Sequence, residues 1–217
     1  DGDLDIVLGN WGENNKFQKF LNKPIRMYHG DLDQNNSKET LLAYAIGEEY
    51  FPVNSKSELA SQMNFISKKF VTHKDFASQN IEKIFTKEML DKAQKHEIHT
   101  LASGYLVNNN GNFDAFVPFD IPFQLAPIHS FTKLEIQGKN HLLISGNSEK
   151  TNNYHGNYTS LKGILARTKK DYEFVNRLGI EPFKKQIKET TVVQMKDKNV
   201  LFVLVNNDTL KTYTFKN

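Results

Sequence analysis

The chain has 217 residues, a hydrophobic share of 38% and no cysteine. That length can build a core for one large or two small domains, and the missing cysteine excludes disulfides, zinc–thiolate sites and thiol catalysis while leaving the compartment open. A net charge of +3, with lysines spread along the chain, gives no case for nucleic acid or an acidic membrane, and no apolar stretch approaches the roughly 20 residues a spanning helix needs.

The chain opens on Asp1-Gly2-Asp3-Leu4-Asp5, which reads as the tail of an acidic loop feeding the apolar run Ile6-Val7-Leu8. Asp1 and Asp5 are its candidate metal ligands. A complete loop of this kind needs two further ligands before Asp1, so the chain is expected to be the C-terminal part of a longer protein. A second acidic loop is whole. Gly30-Asp31-Leu32-Asp33-Gln34-Asn35-Asn36-Ser37-Lys38-Glu39 carries oxygen-bearing side chains at alternate positions. Hard cations such as Ca²⁺ take six to eight oxygens at about 2.3–2.6 Å. An EF-hand would need Glu at loop position twelve, Gly at six and flanking helices. Counted from Asp31 those positions hold Leu42 and Asn36, and both flanks, Arg26–His29 and Leu41–Tyr44, read as strands. A nine-residue loop closed by Glu39 fits instead, with Asp31, Asp33, Asn35, Glu39, the Ser37 carbonyl and water as ligands of Ca²⁺. The plain alternative is a solvated polar turn with no ion. Asn36 replaces the usual glycine, and Asn tolerates positive φ better than most residues.

Residues 55–95 change character. Ser55 with Glu58, and Thr72 with Asp75, form capping-box patterns. Leu59, Met63, Ile66 and Phe70 then fall at helical spacing, as do Ile81, Phe85, Met89 and Leu90. Two or three helices inserted into β-structure are expected. Beyond them, Asn110-Gly111 and Asp197-Lys198-Asn199 mark hairpins. Asp5–Asn10 is echoed by His141–Asn147, by Asn199–Asn206 and, weakly, by Glu39–Tyr44. Each echo is a polar turn, a strand apolar on both faces and a Gly or Asn break, as inner strands of stacked sheets are. The later turns carry lysines and cannot hold a divalent cation. Many short strands suit a propeller, sandwich or barrel. Spacings of about forty to sixty residues favour antiparallel β-propeller blades, a partial propeller over residues 1–217 with a helical insertion at about 55–95.

These residues resemble the FG-GAP or VCBS repeat family, the calcium-loop propellers related to the integrin α-chain head. Asp31, Asp33, Asn35 and Glu39 match its loop, Asn36 departs from it at the glycine, and Asp1–Asp5 matches its second half. Leu8–Gly12, Lys23–Tyr28, Thr100–Ser103, Gln124–Ile128 and Ser145–Asn147 extend the similarity to cartilage-acidic-protein-like propellers of Bacteroidetes-type bacteria. The resemblance implies a secreted or surface-anchored protein, as a lipoprotein, with no catalytic role.

Catalytic patterns are sparse. His96-Glu97-Ile98-His99 puts two imidazoles three apart, which diverge on a strand, whereas zinc proteases need His-Glu-x-x-His on a helix. There is no Gly-x-Ser-x-Gly, P-loop or dinucleotide fingerprint. Glu48-Glu49 would serve a hydrolase only around a cleft. Trp11, Tyr28, Tyr154 and Tyr158 could stack sugars or simply pack. The expected function is a non-catalytic, calcium-stabilised module that binds a protein or glycan at the cell or outer-membrane surface, beside nutrient-uptake components. The competing expectation is a polysaccharide-active enzyme or its accessory domain.

Overall fold

The computed structural model describes residues 2–17, 23–149, 151, 156–168, 170–196 and 198–216. Asp1 and Tyr154, two of the residues singled out above, and Asp197 of one hairpin turn lie outside them. The chain divides into two compact units, one formed by Asp1–Lys16 with Leu101–Asn217 and the other by Phe17–Thr100.

The larger unit begins with β1 (Ile6–Leu8). The smaller unit then contributes β2 (Ile25–Gly30), β3 (Glu39–Ile46), β4 (Glu49–Pro52) and five short helices, α1 (Lys56–Gln62), α2 (Phe65–Lys69), α3 (His73–Ala77), α4 (Ile81–Ile84) and α5 (Lys87–Lys92), followed by β5 (Gln94–Ile98). Its strands form one antiparallel sheet in the order β4-β3-β2-β5. Strand β3 alternates, with Leu41, Ala43 and Ala45 buried and Thr40 and Ile46 exposed, so one face meets the core and the other does not. Leu59, Met63 and Ile66 are fully buried, with Phe70, Phe76, Ile81, Ile84 and Phe85 in the same cluster.

Both predicted capping boxes form, at Ser55/Glu58 and at Thr72/Asp75. There are more helices than the two or three expected, because both stripes are divided. Asn80 accepts a hydrogen bond from the Lys83 amide, and Thr86 accepts one from that of Met89. Thr86 starts a new helix inside what read as one periodic run from Ile81 to Leu90, and Asn80 caps the helix at the head of that run. The earlier stripe is divided where α1 ends at Gln62 and α2 begins at Phe65.

The larger unit resumes with β6 (Gly104–Leu106), the short hairpin β7 (Asn108–Asn109) and β8 (Asn112–Phe113), and β9 (Val117–Pro118). Strands β1-β6-β9 make one antiparallel sheet. Next come β10 (Ile128–Ile136), β11 (Lys139–Gly146), β12 (Ile164–Ala166) and β13 (Tyr172–Phe174), a four-stranded antiparallel meander. Strands β14 (Ile187–Met195), β15 (Lys198–Val205) and β16 (Lys211–Lys216) make a three-stranded one. Leu134, Leu143 and Leu165 of the first meander pack with Ile187, Leu201 and Val203 of the second. The other face of β11 is covered as well, by Ile144 packing with Phe123, Tyr158 and Leu161.

The hairpins are built on left-handed residues. Asn110 and Gly111 have φ 53° and 91°, and Gln137 and Gly138 have 51° and 70°, the pattern of a type I′ turn. Glycine is required at 146 for another reason. A Cβ there would meet the Pro127 carbonyl oxygen at 1.9 Å.

The propeller expectation is overturned. Among the described residues the sheets hold four, four, three, three and two strands, and none closes into a propeller. What remains is a mainly β chain with several small antiparallel sheets and short helices. The physical reason lies in the echoes. A turn, an apolar strand and a Gly or Asn break is what any antiparallel hairpin requires, and the echoing strands occupy unequal places. Strand β11 is buried on both faces, β3 on one, and β15 leaves Leu204 48% exposed. Strand β1 is a three-residue sheet edge with Ile6, Val7 and Leu8 each more than a third exposed. Equivalent blades would bury equivalent strands.

A hydroxyl cluster joins β10 to β14. Thr132 Oγ1 donates to the Thr190 carbonyl at 2.6 Å, Thr190 Oγ1 lies 2.6 Å from Thr132 Oγ1 and 3.1 Å from Ser130 Oγ, and the Thr190 amide donates to Ser130 Oγ at 3.1 Å. All three residues are buried. Thr190→Val keeps the shape and the backbone bonds but deprives both partners of one contact. It is expected to cost about 1–2 kcal/mol, read as a lower urea midpoint with unchanged slope.

Candidate metal centre

The β2–β3 hairpin carries the acidic loop. Gly30 pairs with Glu39 at its mouth, and residues 31–38 form the connection. Leu32 is fully buried, which anchors the loop. Asp31 and Asp33, on either side of it, are each partly exposed. The loop then reverses through Gln34 and Asn36, at φ 61° and 67°. Asn36 thus takes the left-handed conformation that the glycine of the family loop would supply.

Hydrogen bonds hold the turn. The two carboxylate oxygens of Asp31 accept from the amides of Asn35 at 3.0 Å and Asn36 at 2.9 Å. Asn35 Oδ1 accepts from the Ser37 amide at 2.7 Å. Glu39 reaches back across the hairpin, and its Oε2 accepts from the Leu32 amide at 2.9 Å.

One oxygen from each of Asp31, Asp33 and Glu39 lies within 4.8 Å of the others. Two ligands on opposite sides of one Ca²⁺ stand about 4.6–5.2 Å apart, twice the bond length, so the separation suits a shared ion of that size. Three carboxylates crowd this one turn. Glu39 is 3% exposed, and its carboxyl is held above the usual carboxylate range by burial and then by the charges of Asp33 and Asp31, against the opposing pull of the Leu32 amide. Asp33 Oδ1 is buried without a hydrogen-bond partner, an arrangement that costs free energy unless something else satisfies it.

Among the sequence-predicted ligands, the structure therefore brings together Asp31, Asp33 and Glu39. Asn35 and Ser37 lie in the same loop, exposed and bonded to each other. Asp5 is placed elsewhere, in the larger unit. Its Oδ1 accepts from the Asn108 amide at 3.0 Å, while Asp3 Oδ2 accepts from the Asn110 amide at 2.8 Å. These acids fasten the amides of the β7–β8 hairpin. Sequence reasoning missed Leu32; its signal was an apolar residue alone between two acids.

The remaining candidates separate. His96 and Glu97 sit on β5, and His99 lies past its end, 4.0 Å from Glu97. Glu97 takes Lys95 and Arg26 as partners, which hold its carboxyl below the usual range, Lys95 foremost. Glu48 pairs with Lys23, and Glu49 Oε1 accepts from Asn80 Nδ2 at 2.6 Å, so that carboxylate pair serves structure. Tyr28 is buried in the core of the smaller unit, and Trp11 meets Tyr158 edge-on at 5.2 Å in the larger one.

Compared with known proteins, the chain matches no family model, no curated protein and no solved structure. The expected membership of the FG-GAP/VCBS, integrin-like or cartilage-acidic-protein-like propellers is therefore corrected. With it fall the Bacteroidetes origin and lipoprotein anchor that rested on it. A loop of alternating acids between two strands is a local solution to holding a hairpin, and it does not require that family's fold. No helix among the described residues is long and apolar enough to cross a membrane.

Proposed function

We propose that this chain is a non-catalytic binding module whose smaller unit is stapled by a structural Ca²⁺ at the β2–β3 hairpin. The observation that carries the reading is the meeting of Asp31, Asp33 and Glu39 oxygens within 4.8 Å, with a buried Asp33 oxygen left without a partner. A cation ties the two strands through residues that otherwise repel one another, and Asp31, Asp33 and Glu39 are its protein ligands. Asn35, the Ser37 carbonyl and water complete a shell of six or more oxygens. Hard oxygen ligands select Ca²⁺ over softer metals. Neutral Asn35 and the lack of a glycine at the sixth loop position set an affinity on the order of 10⁻⁴–10⁻³ M, the range of extracellular modules. Such a site fills outside a cell and empties in cytosol, which supports a secreted or surface setting with a protein or glycan as partner.

Calorimetric titration of Ca²⁺ into the wild type and Asp31→Ala/Asp33→Ala tests this. The wild type is expected to bind one ion and melt higher with it. The variant is expected to show neither heat nor shift. Equal responses from the two proteins would reduce the loop to a turn.

A further inference from the structure

The larger unit holds a cleft of about 320 Å³ that the calcium reading does not use, within the size range of small-ligand sites. Its floor is aromatic and aliphatic. Tyr105 lies against Phe119 at 5.7 Å between ring centroids, and Phe119 against Phe123 at 5.3 Å. Phe123 is fully buried, while Tyr105 and Phe119 are only partly covered, so an aromatic surface reaches the opening. Val7, more than a third exposed, stands at one side.

The polar groups are few and lie among Asp5, Arg167 and Thr168. The Arg167 guanidinium is already committed. Nε and Nη2 donate to the two oxygens of Asp171 at 2.7 and 2.6 Å, Glu173 lies 3.9 Å away, and Nη1 is 3.1 Å from His141 Nε2. Its charge is balanced twice over, so it is a poor trap for an anion, and the Asp5 carboxylate on the same cleft repels one. A quaternary ammonium cation would offer no acceptor to the hydroxyl donor of the cleft, Thr168. Thr168 Oγ1 accepts from the amides of Lys170 and Asp171 at 3.2 and 3.0 Å, which leaves its O–H to donate. The cleft thus presents an apolar floor beside one acceptor and a hydroxyl donor.

We infer that this cleft binds an uncharged, hydroxyl-bearing ring, a neutral pyranose of a glycan, with its C–H face on Tyr105 and Phe119 and its hydroxyls on Asp5 and Thr168. A sugar has that division, with C–H groups on a face and O–H groups around the edge. Aromatic side chains offer a large apolar surface whose negative face suits polarised C–H groups. The inference rests on the binding-module reading and supplies its ligand class.

Saturation-transfer NMR on the full chain tests it, using methyl glucoside, galactoside and mannoside against methyl glucuronide and a quaternary ammonium salt. Transfer to ring C–H protons of at least one neutral glycoside is expected, exceeding that to both charged probes. Tyr105→Ala should abolish it. Val7→Trp removes no wall and fills the cleft, and it should abolish the signal too while leaving the circular dichroism spectrum unchanged. Asp33→Ala should keep the sugar signal while losing the calcium response, so the two readings fail separately. No transfer from any neutral glycoside, stronger transfer to a charged probe, or a signal that survives Val7→Trp would overturn the assignment.

Discussion

Asn147→Leu is expected to remove about 4 kcal/mol or more from the stability of the larger unit, at the top of what single substitutions do. Asn147 is completely buried at φ 78°. Its Nδ2 donates to the carbonyls of Leu161 at 2.9 Å and Lys185 at 3.1 Å, and the Leu161 amide donates to its Oδ1 at 3.0 Å. One side chain therefore joins the end of β11 to the two segments that carry Leu161 and Lys185. Leucine cannot replace any of these bonds. Each stranded backbone group costs about 1–3 kcal/mol, and a side chain without Asn's tolerance for the left-handed region adds about 1–2 kcal/mol. Trp11, the sole tryptophan, belongs to this unit and packs on Tyr158, so urea unfolding followed by its fluorescence reports the loss. A midpoint within error of the wild type would show that the network contributes nothing.

Glu39→Gln is expected to reverse its own sign with calcium. Without the ion, Gln keeps an oxygen for the Leu32 amide and removes one of three crowded negative charges, so the variant should melt above the wild type at neutral pH. The wild type should also lose stability as pH rises. A carboxyl with a raised folded value binds its proton more tightly in the folded than in the unfolded state. Stability therefore falls from about pH 4.3, the unfolded Glu value, up through the raised folded value of Glu39. With calcium at about 10 mM, 10–100 times the proposed dissociation constant, the wild type gains about 1.4–2.7 kcal/mol and Gln, lacking the charge, gains little. Calcium needs the ionised carboxylate, so its binding should strengthen over the same pH interval in which the free protein weakens. Thermal melts of both proteins, with calcium and with chelator, read all four states. A wild type that melts above Glu39→Gln with chelator present would contradict this account of the cluster.

Local chemistry was legible in the sequence and assembly was not. The capping boxes at Ser55 and Thr72 and the Asn110-Gly111 turn depend on residues a few positions apart, and each formed as read. So did the meeting of Asp31, Asp33 and Glu39, because the hairpin that carries them is itself local. The Asp1–Asp5 motif shows the limit. Its composition matches a cation loop, yet Asp3 and Asp5 are satisfied by amides more than a hundred residues away. A carboxylate accepts from an N–H as readily as it ligates a metal, and only the fold decides between them. The propeller failed for the same reason. Apolar runs such as Ile6–Leu8 and Val200–Val203 announce strands, but which strand is an edge and which is covered depends on partners far along the chain.

The order of the two units has a kinetic consequence. Ile6 of β1 pairs with Leu106 of β6, across the whole of the smaller unit. Within that unit Ile25 pairs with Ile98, so the chain enters and leaves it at neighbouring points of one sheet. A ribosome emitting this chain releases β1 long before its partner exists. If the inserted unit folds meanwhile, it turns a long, floppy separation into a short tether, and closing a shorter loop costs less entropy. The insertion then acts as a hairpin turn on the scale of a domain, delivering the first strand of the outer unit to the place where its partner will emerge.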